Sequence, residues 1–160
     1  MRASCLAISL LLFALSTGQA GAAAPTIESA APAWSLLKSL TGKVVLVDFW
    51  ASWCGPCLQS FPWMNDLQQK HADEGLVVVA VNLDQEPALA EAFLKKLPAK
   101  FRIEYDQSGN IARQFDVQAM PTSFLIDRSG RVRARHAGFK DKYREERERQ
   151  IQNLLKESPP

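Results

Sequence analysis

The strongest hydrophobic signal in the chain comes from two nearly continuous apolar runs. They are Lys43–Trp50 (KVVLVDFW) and Leu76–Leu83 (LVVVAVNL), and both are rich in β-branched residues. Runs of this kind are typical of strands that are covered on both faces of a sheet. A third strand is predicted at Thr122–Asp127 (TSFLID). The strict alternation of Arg131–Gly138 (RVRARHAG) predicts a half-exposed partner strand, joined to the third by the turn DRSG.

Helical patterns lie between these strands. Pro62 falls inside the longest of them and predicts a bend. The alternating segment Lys100–Tyr105 predicts a short edge element. The charged run YREERERQ near the C-terminus predicts a solvated helix face, because mixed charges at close spacing form local pairs. The predicted helices are Trp34–Leu40, Cys57 to about His71, Glu86–Leu97 with Leu89, Ala90, Phe93, Leu94 and Leu97 inward, Gly109–Phe115, and Lys140–Lys156 with Tyr143, Ile151, Leu154 and Leu155 inward.

The order of these elements predicts an α/β fold. Apolar strands separated by helices imply a parallel portion of the sheet, whereas the strands around DRSG form an antiparallel hairpin. The expected architecture is therefore a mixed central sheet with helices on both faces. The chain has 160 residues, 47% of them hydrophobic, which suits one such domain at 34–157. A formal net charge of +2 gives no indication of nucleic-acid binding.

Residues 1–22 have the composition of a secretory signal peptide. A positive charge precedes an apolar run at 6–15, and small residues suited to cleavage near Ala20 or Ala22 follow. The apolar run is too short to remain as a membrane anchor. Residues 23–33 are expected to form a flexible lead-in, and the mature protein is expected in the periplasm.

The chain contains three cysteines, and removal of the signal peptide would leave two of them. Cys5 lies ahead of the apolar run of the signal peptide, so Cys54 and Cys57 are the pair that remains. A disulfide between residues so close in sequence closes a very small loop and restricts the unfolded chain little. A purely structural bridge is therefore weakly supported, whereas C-x-x-C beside a β-α pattern predicts a redox site.

The position of the cysteine pair explains how it could exchange electrons. Cys54 lies between a buried strand and a helix, where the helix dipole and free backbone N–H groups stabilise a thiolate and lower the thiol pKa. Cys57 follows one turn later and could attack a mixed disulfide formed at Cys54, which releases the product. Gly55 and Pro56 keep the loop tight, and proline suits the first helical turn.

Metal binding is the main alternative that the residues leave open. A tetrahedral zinc site needs four ligands, and the mature chain offers two cysteines and two distant histidines, His71 and His136, without a second C-x-x-C. Copper delivery through two cysteines and a histidine is a further alternative. We expect no metal and no cofactor other than the redox-active pair Cys54 and Cys57, and we interpret His136 as an ordinary strand residue.

Two separate segments of the chain resemble one family. The stretch VDFWASWCGPC resembles the active-site segment of thioredoxins almost letter for letter, and Met120-Pro121-Thr122 resembles the cis-proline loop of that family. The export signal, the excursion between Glu86 and Tyr105, and the ending PTSFLIDRSGRV resemble the TlpA/ResA branch of exported thiol–disulfide reductases. The resemblance covers nearly all of the mature chain and implies the thioredoxin fold.

The resemblance also implies a role for each candidate site residue. Cys54 would be the exposed nucleophile and Cys57 the resolving thiol. Asp48 would be the buried acid behind the cysteines, and burial should raise its pKa and let it exchange a proton with Cys57. Pro121 would be cis and would place the Met120 backbone beside the disulfide to pair with an extended substrate. The substrate-binding surface would be completed by Trp53, Gly55 and Pro56, with Trp50 as a second apolar wall or as plain core packing.

The function expected from these observations is that of a periplasmic thiol–disulfide oxidoreductase that reduces disulfides in client proteins. A reductase in an oxidising compartment must be recharged, so a membrane electron donor and the clients are the expected partners. The protein is expected to be a monomer that binds no nucleic acid. A disulfide oxidase or isomerase with the same residues stays open, because the residues alone do not fix the direction of electron flow.

Overall fold

The computed structural model describes residues 29–31 and 34–158. Within this part of the chain, six strands form one sheet in the order β1-β6-β5-β2-β3-β4. The strands are β1 (Ser29–Ala30), β2 (Val44–Trp50), β3 (Leu76–Asn82), β4 (Arg102–Tyr105), β5 (Thr122–Ile126) and β6 (Arg131–Ala137). The helices are α1 (Ser35–Ser39), α2 (Gly55–His71), α3 (Pro87–Lys96), α4 (Asn110–Gln114) and α5 (Arg144–Lys156), with a short 3₁₀ turn at Asp141–Tyr143 before α5.

The sheet is mixed, as the order of apolar runs predicted. The central strand β2 pairs in parallel with β3, and β3 pairs in parallel with β4. On its other side β2 pairs antiparallel with β5, which forms the predicted hairpin with β6. Because β2 has a partner on each edge and all its residues are buried, the residues that follow it are held in the middle of the fold.

Two hydrophobic clusters cover the two faces of the sheet. Alternate residues of β2 divide between them, as the period of a strand requires. Val44, Leu46 and Trp50 pack with α2, α3 and α5, whereas Val45, Val47 and Phe49 pack with α1 and α4. Asp48 has the same parity as Leu46 and Trp50, so it projects toward the face that carries α2 and α5.

Two inward positions predicted from helical spacing are wrong. Leu89 is 46% exposed, and the buried residues of α3 are Ala90 and Phe93. Tyr143 is 45% exposed, and Arg147 is buried in α5 instead. The regular α-helix begins only at Arg144, after the 3₁₀ turn, so extending the helical period back to Tyr143 assigns the wrong face.

The described residues include only a small part of the N-terminal region. The signal peptide predicted for 1–22 lies outside them. Within the expected flexible lead-in, Ser29–Ala30 form β1, which pairs antiparallel with β6 and is followed by a hydrogen bond from Ala31 N to Gly130 O of 3.0 Å. β1 forms because the edge of β6 offers free backbone N–H and C=O groups with which it can pair. The sequence pattern of 23–33 does not reveal this pairing. Among the described residues, no helix has the length and apolar character needed to cross a membrane.

Candidate active site

The two cysteines of the C-x-x-C motif form a disulfide at the start of α2. Their Cα atoms are 5.3 Å apart, and Cys54 is the residue that caps the helix N-terminus. The structure is thus that of the oxidised protein. Cys57 is fully buried and Cys54 is 4% exposed, so the sulfur expected to be exposed is the more accessible of the two but is still largely covered. Both cysteines are buried because the motif follows β2, which lies in the middle of the sheet.

The first turn of α2 favours negative charge at Cys54 through the helix dipole. The helix is 17 residues long and has no acidic residue in its first turn. Pro56 has no N–H, and the Cys57 N–H donates to the Cys54 carbonyl oxygen at 3.0 Å. Free backbone donors are therefore fewer than a helix N-terminus usually offers, and the aligned peptide dipoles provide most of the stabilisation of a thiolate.

Asp84 fixes the loop that leads into the cysteine pair. This buried carboxylate accepts hydrogen bonds from the Ser52 backbone N–H at 2.9 Å, the Ser52 hydroxyl at 3.0 Å and the Asn82 side-chain amide at 2.8 Å. The Asp84 N–H in turn donates to Asn82 Oδ1 at 3.1 Å. The C-terminal end of β3 thereby anchors the turn at Ser52 and Trp53. This contact could not be predicted from the sequence, because Asp84 follows a strand without any motif spacing.

Asp48 is a buried carboxyl group on the face of the sheet that carries α2. Burial raises the pKa of Asp48 from 3.8 to about 7, although the Arg147 charge and a hydrogen bond from Ser123 oppose the rise. Asp48 Oδ2 has no hydrogen-bond partner among the described residues. The expected direction of the pKa shift is therefore confirmed, and Asp48 can bind and release a proton near neutral pH.

Further polar residues accompany Asp48 on this face, and the sequence did not place any of them beside it. Ser123 of β5 lies directly beside Asp48 in register, and His136 of β6 lies directly beside Ser123. Burial lowers the pKa of His136, with a further contribution from the Arg147 charge. The ring of His136 makes a hydrogen bond of 2.8 Å between Nε2 and Gln150 Oε1. Arg147 comes from the run YREERERQ, so the solvated face predicted for that run is wrong at this residue.

The surface around the disulfide is apolar on one side. Trp53 is 71% exposed, and Gly55 and Pro56 are exposed as well. The Met120–Pro121 peptide bond is cis, as the resemblance implied, and Met120 packs against the cluster that contains both cysteines. Trp50 is fully buried and packs on Phe61 and Phe93 at ring distances of 4.8 Å and 4.7 Å, which identifies it as a core residue rather than a wall of the site.

Trp53→Ala tests whether this exposed ring contacts the substrate. We expect kcat/KM for a protein disulfide to fall about tenfold, because a buried aromatic contact in a complex contributes roughly 1–2 kcal/mol. The free energy of unfolding should change by less than about 0.5 kcal/mol, since the ring is exposed. Stopped-flow measurement of disulfide exchange with a protein disulfide gives the first quantity, and urea denaturation gives the second. Tyr105→Ala removes an exposed ring from the edge strand β4 and is the matched control; an equal loss there would contradict the role of Trp53.

The described residues do not assemble a cluster of potential metal ligands. Across 29–31 and 34–158, no group of three or more His, Cys, Asp and Glu side chains is arranged so that it could hold a metal ion. His71 is buried and its Nδ1 lies 2.7 Å from Glu74 Oε1, whereas His136 pairs with Gln150. Neither histidine is described in contact with the cysteine pair.

Comparisons with known proteins agree with this geometry. The family described as Redoxin matches residues 19–155 of the chain. Thiol-disulfide oxidoreductase ResA of Bacillus thuringiensis subsp. konkukian is 34% identical over 124 residues, which cover 78% of this chain and 68% of ResA. A crystal structure from Chlorobium tepidum, assigned as thiol:disulfide interchange protein DsbE, is 48% identical with a TM-score of 0.73 and covers 80% of this chain and 93% of its own. A solution structure from Bacteroides thetaiotaomicron, assigned as a protein disulfide isomerase, is 28% identical with a TM-score of 0.69 and covers 76% and 79%.

A C-x-x-C disulfide at the strand–helix junction of this mixed sheet defines the class of disulfide-exchange proteins with a thioredoxin-like fold. The chain belongs to the Redoxin family and is a thiol–disulfide oxidoreductase of the TlpA/ResA type. The family resemblance and the α/β fold class expected from the sequence are both confirmed.

Proposed function

We infer that the protein is a periplasmic reductase of disulfides in client proteins. In this reaction the Cys54 thiolate attacks one sulfur of a client disulfide and displaces the other as a thiolate. The Cys57 thiolate then attacks Cys54 Sγ, which releases the second client thiolate and restores the Cys54–Cys57 disulfide. Two electrons pass from the protein to the client, and the client thiolates take up two protons.

The observation that carries this proposal is the position of the two sulfurs. The outer cysteine caps a 17-residue helix whose first turn has no acidic residue, and the inner cysteine is fully buried behind it. The outer sulfur is therefore the one that a client can reach and the one whose thiolate the helix dipole stabilises. The inner sulfur can react only with its neighbour, which is the property required of the resolving thiol.

Asp48 supplies the proton chemistry that the buried thiol needs. Cys57 must lose its proton before it can attack Cys54, and a thiol buried in apolar surroundings resists ionisation. An ionised Asp48 on the same face of the sheet accepts that proton, directly or through a bridging group. The pKa of about 7 suits this exchange, because a general base is most effective when its pKa lies near the working pH.

The substrate surface consists of Trp53, Gly55, Pro56, Met120 and Pro121. Exposure of the Trp53 ring and of the Gly55-Pro56 turn supports contact with a client next to the disulfide. The resemblance implies that the Met120 backbone pairs with an extended segment of the client, as an added strand does. The client, a membrane electron donor and a monomeric state remain parts of this proposal, as does export through a cleaved signal peptide at 1–22.

The direction of electron flow is the part that most needs a test. The names of the similar proteins include oxidoreductase, interchange protein and isomerase, so they do not choose between reduction and oxidation. Gly55-Pro56 between the cysteines resembles thioredoxin and favours reduction. Equilibration of the pair with glutathione buffers, followed by Trp fluorescence, should give a midpoint potential below about −200 mV. A midpoint near about −120 mV would identify an oxidase instead.

A further inference from the structure

We propose that Arg147 is a positioning residue whose buried positive charge holds Asp48 in the charge state that the Cys57 step requires. This inference rests on the proposed function, because it concerns the proton acceptor of that reaction. Arg147 lies on α5, far in sequence from the C-x-x-C motif. No motif or resemblance assigned it a role.

The strand neighbours of Asp48 leave its carboxylate without a cation in the sheet. In register, Asp48 lies between Ala80 of β3 and Ser123 of β5, and neither side chain carries a charge. A carboxylate in such a place would be strongly destabilised unless a cation approached from above the sheet. α5 covers this face, and Arg147 is its buried cation, with 6% of its surface exposed.

The surroundings of Arg147 hold its charge over the sheet without neutralising it. Arg147 Nη2 donates to the Gly138 carbonyl oxygen at 2.8 Å, which is a neutral acceptor. The guanidinium lies 5.6 Å from the centre of the Phe139 ring, and that ring packs on Trp63 at 5.4 Å. Burial lowers the pKa of Arg147, whereas the Asp48 carboxylate raises it. The two groups therefore stabilise each other's charged forms.

Other titratable groups near Asp48 do not replace this cation. On β6, His136 has a lowered pKa and is neutral near pH 7. On α2 the nearby group is Cys57, which is disulfide-bonded in this state. Tyr143 lies just before α5 and favours the charged form of Arg147. Glu146 lies in the first turn of α5 and favours the charged form of His136. The side chains that α3 contributes to this face, those of Ala90, Phe93 and Leu94, are all apolar.

The consequence for the reaction is a matter of protonation. At pH 7 about half of Asp48 is ionised when its pKa is about 7. Without the Arg147 charge, no cation offsets the cost of burying the Asp48 carboxylate, so the Asp48 pKa rises. A rise of one unit reduces the ionised fraction at pH 7 to roughly a tenth, so the Cys57 step slows about fivefold. At pH 9 the carboxyl is ionised in both proteins, and the difference disappears.

The test measures the resolving step in single turnovers. A mixed disulfide is formed at Cys54 with a small aromatic thiol, and its decay is followed from pH 5 to pH 10. Arg147→Gln and Arg147→Met should both shift the rate profile to higher pH and lower the rate at pH 7 about fivefold, with recovery at pH 9. Arg147→Lys should restore the original profile. His136→Ala, on β6 and two strands away from Asp48, is the matched control and should leave the profile unchanged.

Two further measurements separate this proposal from its alternatives. In the Asp48→Asn background, Arg147→Gln should have no additional effect on the profile, because the group it acts through is gone. The ¹³C chemical shift of the Asp48 carboxyl in the oxidised protein should titrate at higher pH in both neutral variants, whatever the direction of electron flow. Failure of the reductase test would therefore leave this result intact. An unchanged Asp48 titration, an equal slowing in the Asp48→Asn background, or a profile that moves with His136→Ala instead would overturn the role of Arg147.

Discussion

Cys54→Ser is expected to abolish disulfide reduction, with turnover lowered at least about a thousandfold to the uncatalysed background. The hydroxyl of serine is not ionised near neutral pH, so the nucleophile that the helix dipole stabilises is lost. Cys57→Ser is expected to behave differently: the attack by Cys54 proceeds, but no buried thiol releases the client. Mixed disulfides between the protein and its clients should accumulate, and non-reducing gel electrophoresis with mass spectrometry should identify them.

The comparison between the two variants is the informative part of this prediction. Equal residual turnover in Cys54→Ser and Cys57→Ser would contradict the assignment of the outer sulfur as nucleophile and the inner one as resolving thiol. Cys5→Ser is the matched control, since it makes the same substitution at the cysteine that signal cleavage is expected to remove. It should trap no client and should leave turnover unchanged. The clients found with Cys57→Ser would also give the substrate class directly.

The central part of the fold could be predicted because its hydrophobic pattern is unambiguous. A nearly continuous run of β-branched and apolar residues is typical of a strand that is buried on both faces. β2 and β3 correspond to the two apolar runs within a residue at each end. The C-x-x-C motif then fixes where the site lies, because only the junction of β2 and α2 can carry it. Asp48 could be found for a related reason: a carboxyl group inside such a run is costly to bury, which indicates that it has a function.

The residues that the sequence did not reveal all act through contacts between distant segments. Asp84 supports the Ser52 turn across 32 positions of sequence, and such a pairing depends on the register of β2 and β3. Arg147 lies in a run of alternating charges where only the exact start of α5 decides which residue points inward. The strand β1 forms because β6 has a free edge, which is a property of the finished sheet. Local patterns carry little information about any of these.

Asp48→Asn is expected to stabilise the oxidised protein and at the same time to slow its reaction. The pKa of Asp48 is about 7 in the folded protein and close to 3.8 when unfolded. Between these values the folded protein holds a proton that the unfolded chain has lost, so stability decreases as the pH rises from about 4 to about 7 and is level above that. At about 1.4 kcal/mol per pH unit, the loss amounts to about 4 kcal/mol at pH 8.

Asparagine keeps the shape of the side chain but cannot ionise, so the variant should lack this pH dependence. Urea denaturation at pH 8 should show the variant to be more stable by up to about 4 kcal/mol, with a much smaller difference at pH 4. Asp127→Asn is the control with the opposite sign. Although burial opposes it, hydrogen bonds from Ser129, Arg131 and Arg133 hold the Asp127 pKa below its usual value, so its removal should cost stability at pH 8 and little at low pH.

The kinetic effect of Asp48→Asn should be the reverse of its effect on stability. Without a proton acceptor behind Cys57, decay of the mixed disulfide at pH 7 should slow about a hundredfold, which is the usual size of a general-base contribution. Formation of the mixed disulfide at Cys54 should change much less, because that thiolate depends on the helix dipole. A variant that is more stable and slower only in the second step would show that the buried acid is retained for catalysis at the expense of the fold. Loss of stability at pH 8, or equal slowing of both steps, would show that Asp48 is instead a satisfied polar group of the core.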